Sequence, residues 1–222
     1  IIAGFYARAG IVYLNNGATG SVTFIGTVSP AGGNLKEPVT ESTKKAARCF
    51  YALSQNRADS KRYPAIDTID SYSKYLEYPE FIEYSKEKLD ENWVELVSEA
   101  RNILIRGKET EEQINILGDD SVPIDYHITL WKAELIDFVI LQQDAFDKID
   151  SSTSLERQEY MLKKIIGITR SEFDFESFEE VGIYFKRLIN IYRQLNYTVF
   201  KSEEFYSTEK EADAILEERI IK

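Results

Sequence analysis

Gly20-Ser-Val-Thr-Phe-Ile-Gly-Thr-Val-Ser-Pro-Ala-Gly-Gly-Asn-Leu-Lys-Glu-Pro-Val-Thr40 is the stretch that decides the fold. From Ser21 to Ser29, Val22, Phe24, Gly26 and Val28 alternate with Ser21, Thr23, Ile25 and Thr27. That period of two, rich in β-branched residues, predicts a strand. Ile25 makes the second face partly apolar as well, which suits a strand buried in a sheet. Pro30-Ala-Gly-Gly33 ends the run, and Glu37-Pro38 opens a helix, with proline in the first turn and an acid beside it. Val39, Thr43, Ala46, Phe50 and Leu53 continue at helical spacing. Tyr63-Pro64-Ala65-Ile66 is short and extended, because Pro64 pushes Tyr63 away from helix. A strand–helix–strand order within residues 20–67 is an α/β signature, too small for a whole α/β domain, so the segment is expected to be one edge of such a sheet. Upstream, residues 1–13 read as the end of a helix with Gly10 near its C-terminus, and Asn15-Asn16-Gly17 as a turn.

Beyond Asp70 the pattern predicts helices throughout. Trp93, Leu96, Val97, Ala100 and Leu104 share one face, Gly118 breaks the run, and Pro123 opens the next. Ile124, Ile128, Trp131, Leu135 and Phe138 recur at steps of four and three. Phe178, Val181, Phe185, Leu188, Tyr192, Leu195 and Val199 form a seam of alternating threes and fours, as helix-on-helix packing requires. Leu155, Met161, Leu162 and Ile165 suggest a helix between these sets, and Ala212, Ile215, Leu216 and Ile220 a last one. The fold class is therefore α+β and mostly α: an α/β edge over residues 1–70, then a helical bundle over 71–222.

Charge divides the chain at the same place. Of 222 residues with net charge −11, residues 1–70 carry 8 Lys/Arg against 5 Asp/Glu, a net +3, and the remainder carry −14. The acidic part would repel nucleic acid and anionic membrane surfaces. Apolar runs are far shorter than the roughly 20 residues that cross a bilayer, so no membrane insertion is expected. Cys49 is the only cysteine, which precludes an intramolecular disulfide and favours a reducing, cytoplasmic setting. His127 is the only histidine and reads as a surface or capping residue rather than a metal ligand. No metal site and no Ser/His/Asp arrangement is predicted. The chain opens Ile1-Ile2-Ala3, without methionine, and reads as part of a longer one.

Three segments in order carry a resemblance. Gly20, Ser21, Val22, Thr23, Ile25, Gly26, Val28, Ser29, Pro30, Gly32, Gly33, Glu37, Pro38, Val39 and Thr40 form the first; Tyr63-Pro-Ala-Ile-Asp67 with Asp70-Ser-Tyr-Ser73 the second; Leu141-Gln-Gln-Asp-Ala-Phe-Asp147 the third. Together they resemble the C-terminal part of the catalytic A (alpha) subunit of V-type and A-type rotary ATPases and ATP synthases. Ala31 and Asn34 depart from the usual second proline and aspartate. The resemblance is motif-rich over residues 4–150 and only helical in pattern beyond.

The resemblance implies that residues 1–70 finish a nucleotide-binding α/β domain and that the helices after it form a domain that swings and pushes on the rotor. It implies that Tyr63 and Phe146 sandwich an adenine ring, with Gln142, Gln143 and Ala145 along the same edge. Gly32, Gly33, Asn34, Leu35, Lys36 and Glu37 would then face the central shaft. B subunits and central-stalk subunits are the implied partners, ATP or ADP with Mg the implied cofactors of the intact enzyme, and a peripheral place in its soluble sector the implied location. Residues 1–222 contain no Gly-x-x-x-x-Gly-Lys-Ser/Thr loop to cradle phosphates, so no catalytic residue is expected among them and no tightly bound nucleotide. Taken alone, Tyr63 and Phe146 also read as core aromatics. The acidic helices also fit a stand-alone interaction protein. An open sheet edge predicts self-association.

Overall fold

Hairpin chemistry at Asn16-Gly17 shapes the first elements. In the computed structural model, which describes residues 2–221, helix α1 (Ile2–Tyr6) leads into antiparallel β1 (Gly10–Tyr13) and β2 (Thr19–Val22). Asn16 Oδ1 accepts the Ala18 N–H at 3.0 Å, and Gly17 takes φ 83°, open to glycine at no steric cost. Two expectations are corrected here. Gly10 begins a strand rather than capping a helix. The strand expected over residues 21–29 starts at Thr19 and ends at Val22, and its faces are exposed, with Ile25 88% accessible. The ladder stops because β1 runs out: Val22 pairs with Gly10, and nothing extended precedes Gly10 to pair with Thr23 onward.

A 3-10 turn, Ala31–Gly33, follows, with Gly32 and Gly33 at φ 62° and 70°. Helix α2 (Pro38–Ala46) then starts as predicted. Glu37 Oε1 accepts both the backbone N–H and the hydroxyl of Thr40 at 2.9 Å. It does not run to Leu53. Cys49–Leu53 is strand β3, paired across the short helix α3 (Gln55–Asp59) with antiparallel β4 (Ile66–Ser73). The spacing of Phe50 and Leu53 fits a helix, but Phe50 and Ala52 are buried while Tyr51 and Leu53 are exposed, the period of a strand. A bulge between Phe50 and Ala52 is bridged by Ser71 Oγ, which accepts the Ala52 N–H at 2.9 Å. The strand also continues past Asp70, where helices were expected.

From Pro79 onward the described elements are helical: α4 (Pro79–Lys88), α5 (Trp93–Leu117), α6 (Ile124–Ile136), a π-helical turn (Asp137–Leu141), α7 (Leu155–Arg170), α8 (Phe178–Tyr197) and α9 (Glu203–Leu216). Ser154, Ser177 and Ser202 each cap the helix that follows through Oγ. The core seam on α8 forms as the spacing predicts: Val181, Phe185, Leu188, Tyr192 and Leu195 are fully buried. Val199 departs from it. The helix ends at Tyr197, so Val199 falls outside the seam and is 60% exposed. Ile220 likewise lies beyond α9 and bridges to Phe173. His127, expected at the surface, is buried: its ring stacks on Phe178 at 5.0 Å and its Nε2 lies 3.2 Å from the Asp119 carbonyl. The turn between α5 and α6 folds over that face and covers it.

Helices α5 and α6 pack closely at Gly107, where a Cβ would sit 2.2 Å from Ala133 Cβ. Helix propensity alone favours alanine over glycine by about 1 kcal/mol. Backbone displacement costs about 1–3 kcal/mol and outweighs it. Gly107→Ala therefore lowers the urea midpoint, and adding Ala133→Gly restores part of the loss. A stabilised Gly107→Ala single variant would contradict this crossing.

Candidate functional site

Two arginines from the N-terminal part reach the junction between α6 and the π turn. Arg57, on α3, donates from Nη1 to Asp137 Oδ1 at 2.6 Å. Arg62, just before Tyr63, donates from Nη1 to Asp137 Oδ2 at 2.6 Å and grips both Glu134 oxygens, at 2.9 and 2.8 Å. Glu134 and Asp137 are three residues apart and so share a helix face. Forked guanidinium–carboxylate pairs of this kind are short, strong and directional. Asp137 is only 7% exposed, and the Arg62 guanidinium also lies over the Phe138 ring at 4.5 Å. Burial opposes the Arg62 charge, but Glu134 and Asp137 outweigh it and hold the guanidinium above its ordinary pKa. Burial pushes the Glu134 carboxyl up against the pull of Arg62.

This clamp sets where Tyr63 stands. The Tyr63 carbonyl accepts the Gln143 N–H at 2.8 Å, and its hydroxyl donates to the Ala58 carbonyl at 3.4 Å. Tyr63 is 51% exposed. Across from it, the π turn closes with the Gln142 N–H on the Asp137 carbonyl at 2.9 Å, and the chain enters a loop that bonds to itself. Gln143 Nε2 donates to the Asp150 carbonyl and the Asp144 N–H to Asp150 Oδ2, each at 2.6 Å. Asp144 Oδ1 accepts the Phe146 N–H, and Asp147 Oδ1 accepts those of Ile149 and Asp150. Those donors hold the Asp147 carboxyl below its usual range. At the tip, Phe146 is 99% exposed, and Ala145 beside it is exposed too.

The structure thus brings Tyr63 against Gln143, with Gln142 alongside. Neither Tyr63 nor Phe146 stacks on another aromatic ring among the described residues. The loop Gly32–Glu37 stands apart, largely exposed. No hydrogen bond or ion pair among the described residues joins it to Tyr63 or to Gln142–Phe146. No group of His, Cys, Asp or Glu suited to a metal ion occurs among the described residues, and no helix there is long and apolar enough to cross a membrane. Sequence reasoning missed Arg57, Arg62, Glu134 and Asp137. The i, i+3 acids are visible in the sequence, but their partners lie more than 70 residues away.

The two parts of the chain each match a known family. Residues 1–73 match the nucleotide-binding domain of the ATP synthase alpha/beta family, and residues 82–175 match the C-terminal domain of V and A type ATP synthase. The V-type ATP synthase alpha chain of Borrelia duttonii is 40% identical over 209 residues, covering 94% of this chain and 34% of its own length. That of Treponema denticola is 41% identical over 208 residues, 94% of this chain and 33% of its own, and that of Protochlamydia amoebophila 38% over 218 residues, 98% and 36%. A solved ATP synthase subunit, NeqB from Nanoarcheaum equitans, shares the fold, with TM-score 0.54 and 22% identity over 77% of this chain and 39% of that one. The chain is similar to V-type ATP synthase alpha chains along nearly its whole length and spans about a third of the length of the curated relatives it matches. Similarity over both parts favours that relationship over an unrelated acidic helical protein.

Removing one member of the clamp strands the others. Asp137→Ala leaves Arg57 and half of Arg62 buried without a counter-charge, a loss of about 3–5 kcal/mol by urea denaturation. The Gln143 amide should lose hydrogen-exchange protection in step. Arg170→Ala, whose pair with Glu99 is solvent-exposed, leaves the midpoint nearly unchanged.

Proposed function

We propose that this chain is part of the catalytic subunit of a V- or A-type rotary ATPase or ATP synthase, supplying its adenine-binding side and the helical lever that meets the rotor. In this reading residues 1–70 complete the nucleotide-binding domain and residues 71–222 form the lever. Tyr63 and Phe146 are the two faces of the base site, with Gln142, Gln143 and Ala145 along its edge. Gly32–Glu37 faces the shaft. The carrying observation is the Gln143–Tyr63 hydrogen bond, which fixes an exposed tyrosine beside a loop whose tip is an almost fully exposed phenylalanine. An exposed aromatic ring offers a flat face on which a base can stack.

The residues present fit a purine and not its phosphates. The aromatic faces and the two glutamine amides suit a neutral heterocycle. The nearby arginines, Arg57 and Arg62, are already spent on carboxylates. Bound Mg-ATP would supply the phosphoanhydride bond, and the intact subunit its phosphate chemistry. These residues hold and orient the base. Because the clamp ties Tyr63 to α6, a change in how the base is held would be passed to the helices. Coupling to proton or sodium transport, through B subunits and a central stalk, belongs to the assembled enzyme at the membrane periphery.

Stacking contributes about 1–3 kcal/mol per base, well short of the roughly 4.1 kcal/mol that a millimolar complex needs. Calorimetry of the isolated chain with ATP should therefore give a Kd weaker than about 1 mM, and steady-state hydrolysis should stay at blank. A tight complex, or hydrolysis that disappears with Tyr63→Ala, would overturn this division of labour. In the intact subunit, Tyr63→Ala and Phe146→Ala each weaken nucleotide binding, by about 5- to 150-fold between them, while Tyr63→Phe retains it. Unchanged affinity in both alanine variants would remove the base site from these residues.

A further inference from the structure

The π turn leaves the Val139 carbonyl without a backbone partner among the described residues. In an α-helical register it would accept the Gln143 N–H, and in the π register the Asp144 N–H. Both donors are engaged elsewhere, Gln143 on the Tyr63 carbonyl at 2.8 Å and Asp144 on Asp150 Oδ2 at 2.6 Å. Val139 is buried, and a buried carbonyl left unpaired is costly. Its donor comes from α8: Asn196 Nδ2 lies 2.8 Å from the Val139 oxygen. Only the Nδ2 end of that side-chain amide can serve a carbonyl, so the orientation of Asn196 is fixed. Three residues earlier on α8, Arg193 lies over the Phe138 ring at 5.7 Å, on which Arg62 also rests at 4.5 Å. Asp137, Phe138 and Val139 are thus each held by a side chain from outside the turn.

We propose that Asn196 is a positioning residue for the base site: by meeting the Val139 carbonyl it frees the Gln143 N–H for Tyr63. The inference rests on the base-site reading given above. A helix end without a side-chain cap satisfies its last carbonyls by continuing or tightening the ladder. For Val139 the nearest such donor is the Gln143 N–H, the same group that fixes Tyr63 beside the loop. Without the Asn196 donor, two carbonyls compete for one N–H. Winding Gln143 into the helix then releases Tyr63 and draws the start of the Gln142–Asp150 loop with it. Asn196 makes no hydrogen bond to Tyr63 or Phe146 among the described residues, so its effect passes through the backbone of the turn. Arg193 supports the same turn, but it bears on a ring and not on the contested carbonyl.

NMR couplings across hydrogen bonds, measured on the deuterated chain, read this arrangement directly. In the unmodified chain the Gln143 nitrogen should couple to the Tyr63 carbonyl carbon, and Asn196 Nδ2 to that of Val139. In Asn196→Leu, which keeps the bulk and removes the donor, the Gln143 coupling to Tyr63 should be lost and one to Val139 should appear. In the intact subunit the same variant should raise the KM for ATP by about 2- to 12-fold, the equivalent of one hydrogen bond, with kcat retained. A merely destabilised subunit would instead lose kcat with its folded fraction at unchanged KM. If Asn196→Leu fails to fold by far-UV circular dichroism, Asn196→Asp, which keeps the shape and as a carboxylate only accepts, is read in the same way. A Tyr63 coupling that survives loss of the donor, no coupling between Asn196 and Val139 in the unmodified chain, or an unchanged KM where Tyr63→Ala raises it would each overturn the proposal. Unchanged affinity in both Tyr63→Ala and Phe146→Ala is the separate failure of the base site itself, and it takes the positioning role with it whatever the couplings show.

Discussion

Asp137 accepts one guanidinium on each of its carboxylate oxygens, Arg57 on one and Arg62 on the other, and much of the arrangement depends on that pair of bonds. Two charges of each sign, counting Glu134, are brought together largely away from water. Such a cluster gives little net stability relative to an apolar contact, because desolvation offsets most of the attraction. What it contributes is geometry. Forked bonds tolerate little displacement, so α3 and the segment leading to Tyr63 can sit in only one way against α6. Arg101 makes a second tie, from α5 to the β4 carbonyls at Ile69 and Ser71. Between them these arginines join a sheet-bearing part with little core of its own to a bundle that has nearly all of it.

The bundle can bear that role because it carries an extensive buried core of its own. Phe173 and Phe175 pack edge-to-face or tilted against Tyr184 and Phe185 of α8. Several polar groups that the bundle buries are met within it. Arg157, buried without a carboxylate, donates to the Leu195 and Thr198 carbonyls at the end of α8. Tyr192 and Lys164 meet at Asp213, and Tyr160 and Lys164 at Glu209, pinning α9 to α7 and α8. The π turn stands out against this regularity. It shifts the register by one residue after Ile136, and the chain leaves the helix directly into the Gln142–Asp150 loop. Without that turn Phe146 would not stand at a loop tip.

The helices of the bundle were legible in the residues themselves. The α8 seam, the break at Gly118 and the start at Pro123 all follow from spacing and capping, because a helix that buries one face must repeat at threes and fours. The strands were read less well. Residues 49–53 satisfy both a helical and an alternating pattern, and only pairing with β4 decides between them. Residues 23–29 alternate like a strand but have no partner among the described residues. His127 was misread because its burial comes from a turn folding over it, which local spacing does not report. The motifs at Tyr63 and Leu141–Asp147 were visible. The four charged residues that hold them in register were not, since each alone is an ordinary surface side chain.

Local pattern therefore determined the helical character of most of residues 79–216, the turn and cap chemistry at Asn16-Gly17 and Glu37-Pro38, and the resemblance to V- and A-type ATP synthase alpha chains. Those properties depend on neighbours within a few residues, where propensity, periodicity and hydrogen-bonding side chains act directly. Tertiary structure alone decided that Arg57 and Arg62 meet Glu134 and Asp137, that Gln143 bonds to Tyr63, that Gln142 Oε1 is buried without a donor, and that Gly107 touches Ala133. Each of these joins residues far apart in sequence or depends on what surrounds them in the folded chain, and no spacing rule encodes such an encounter.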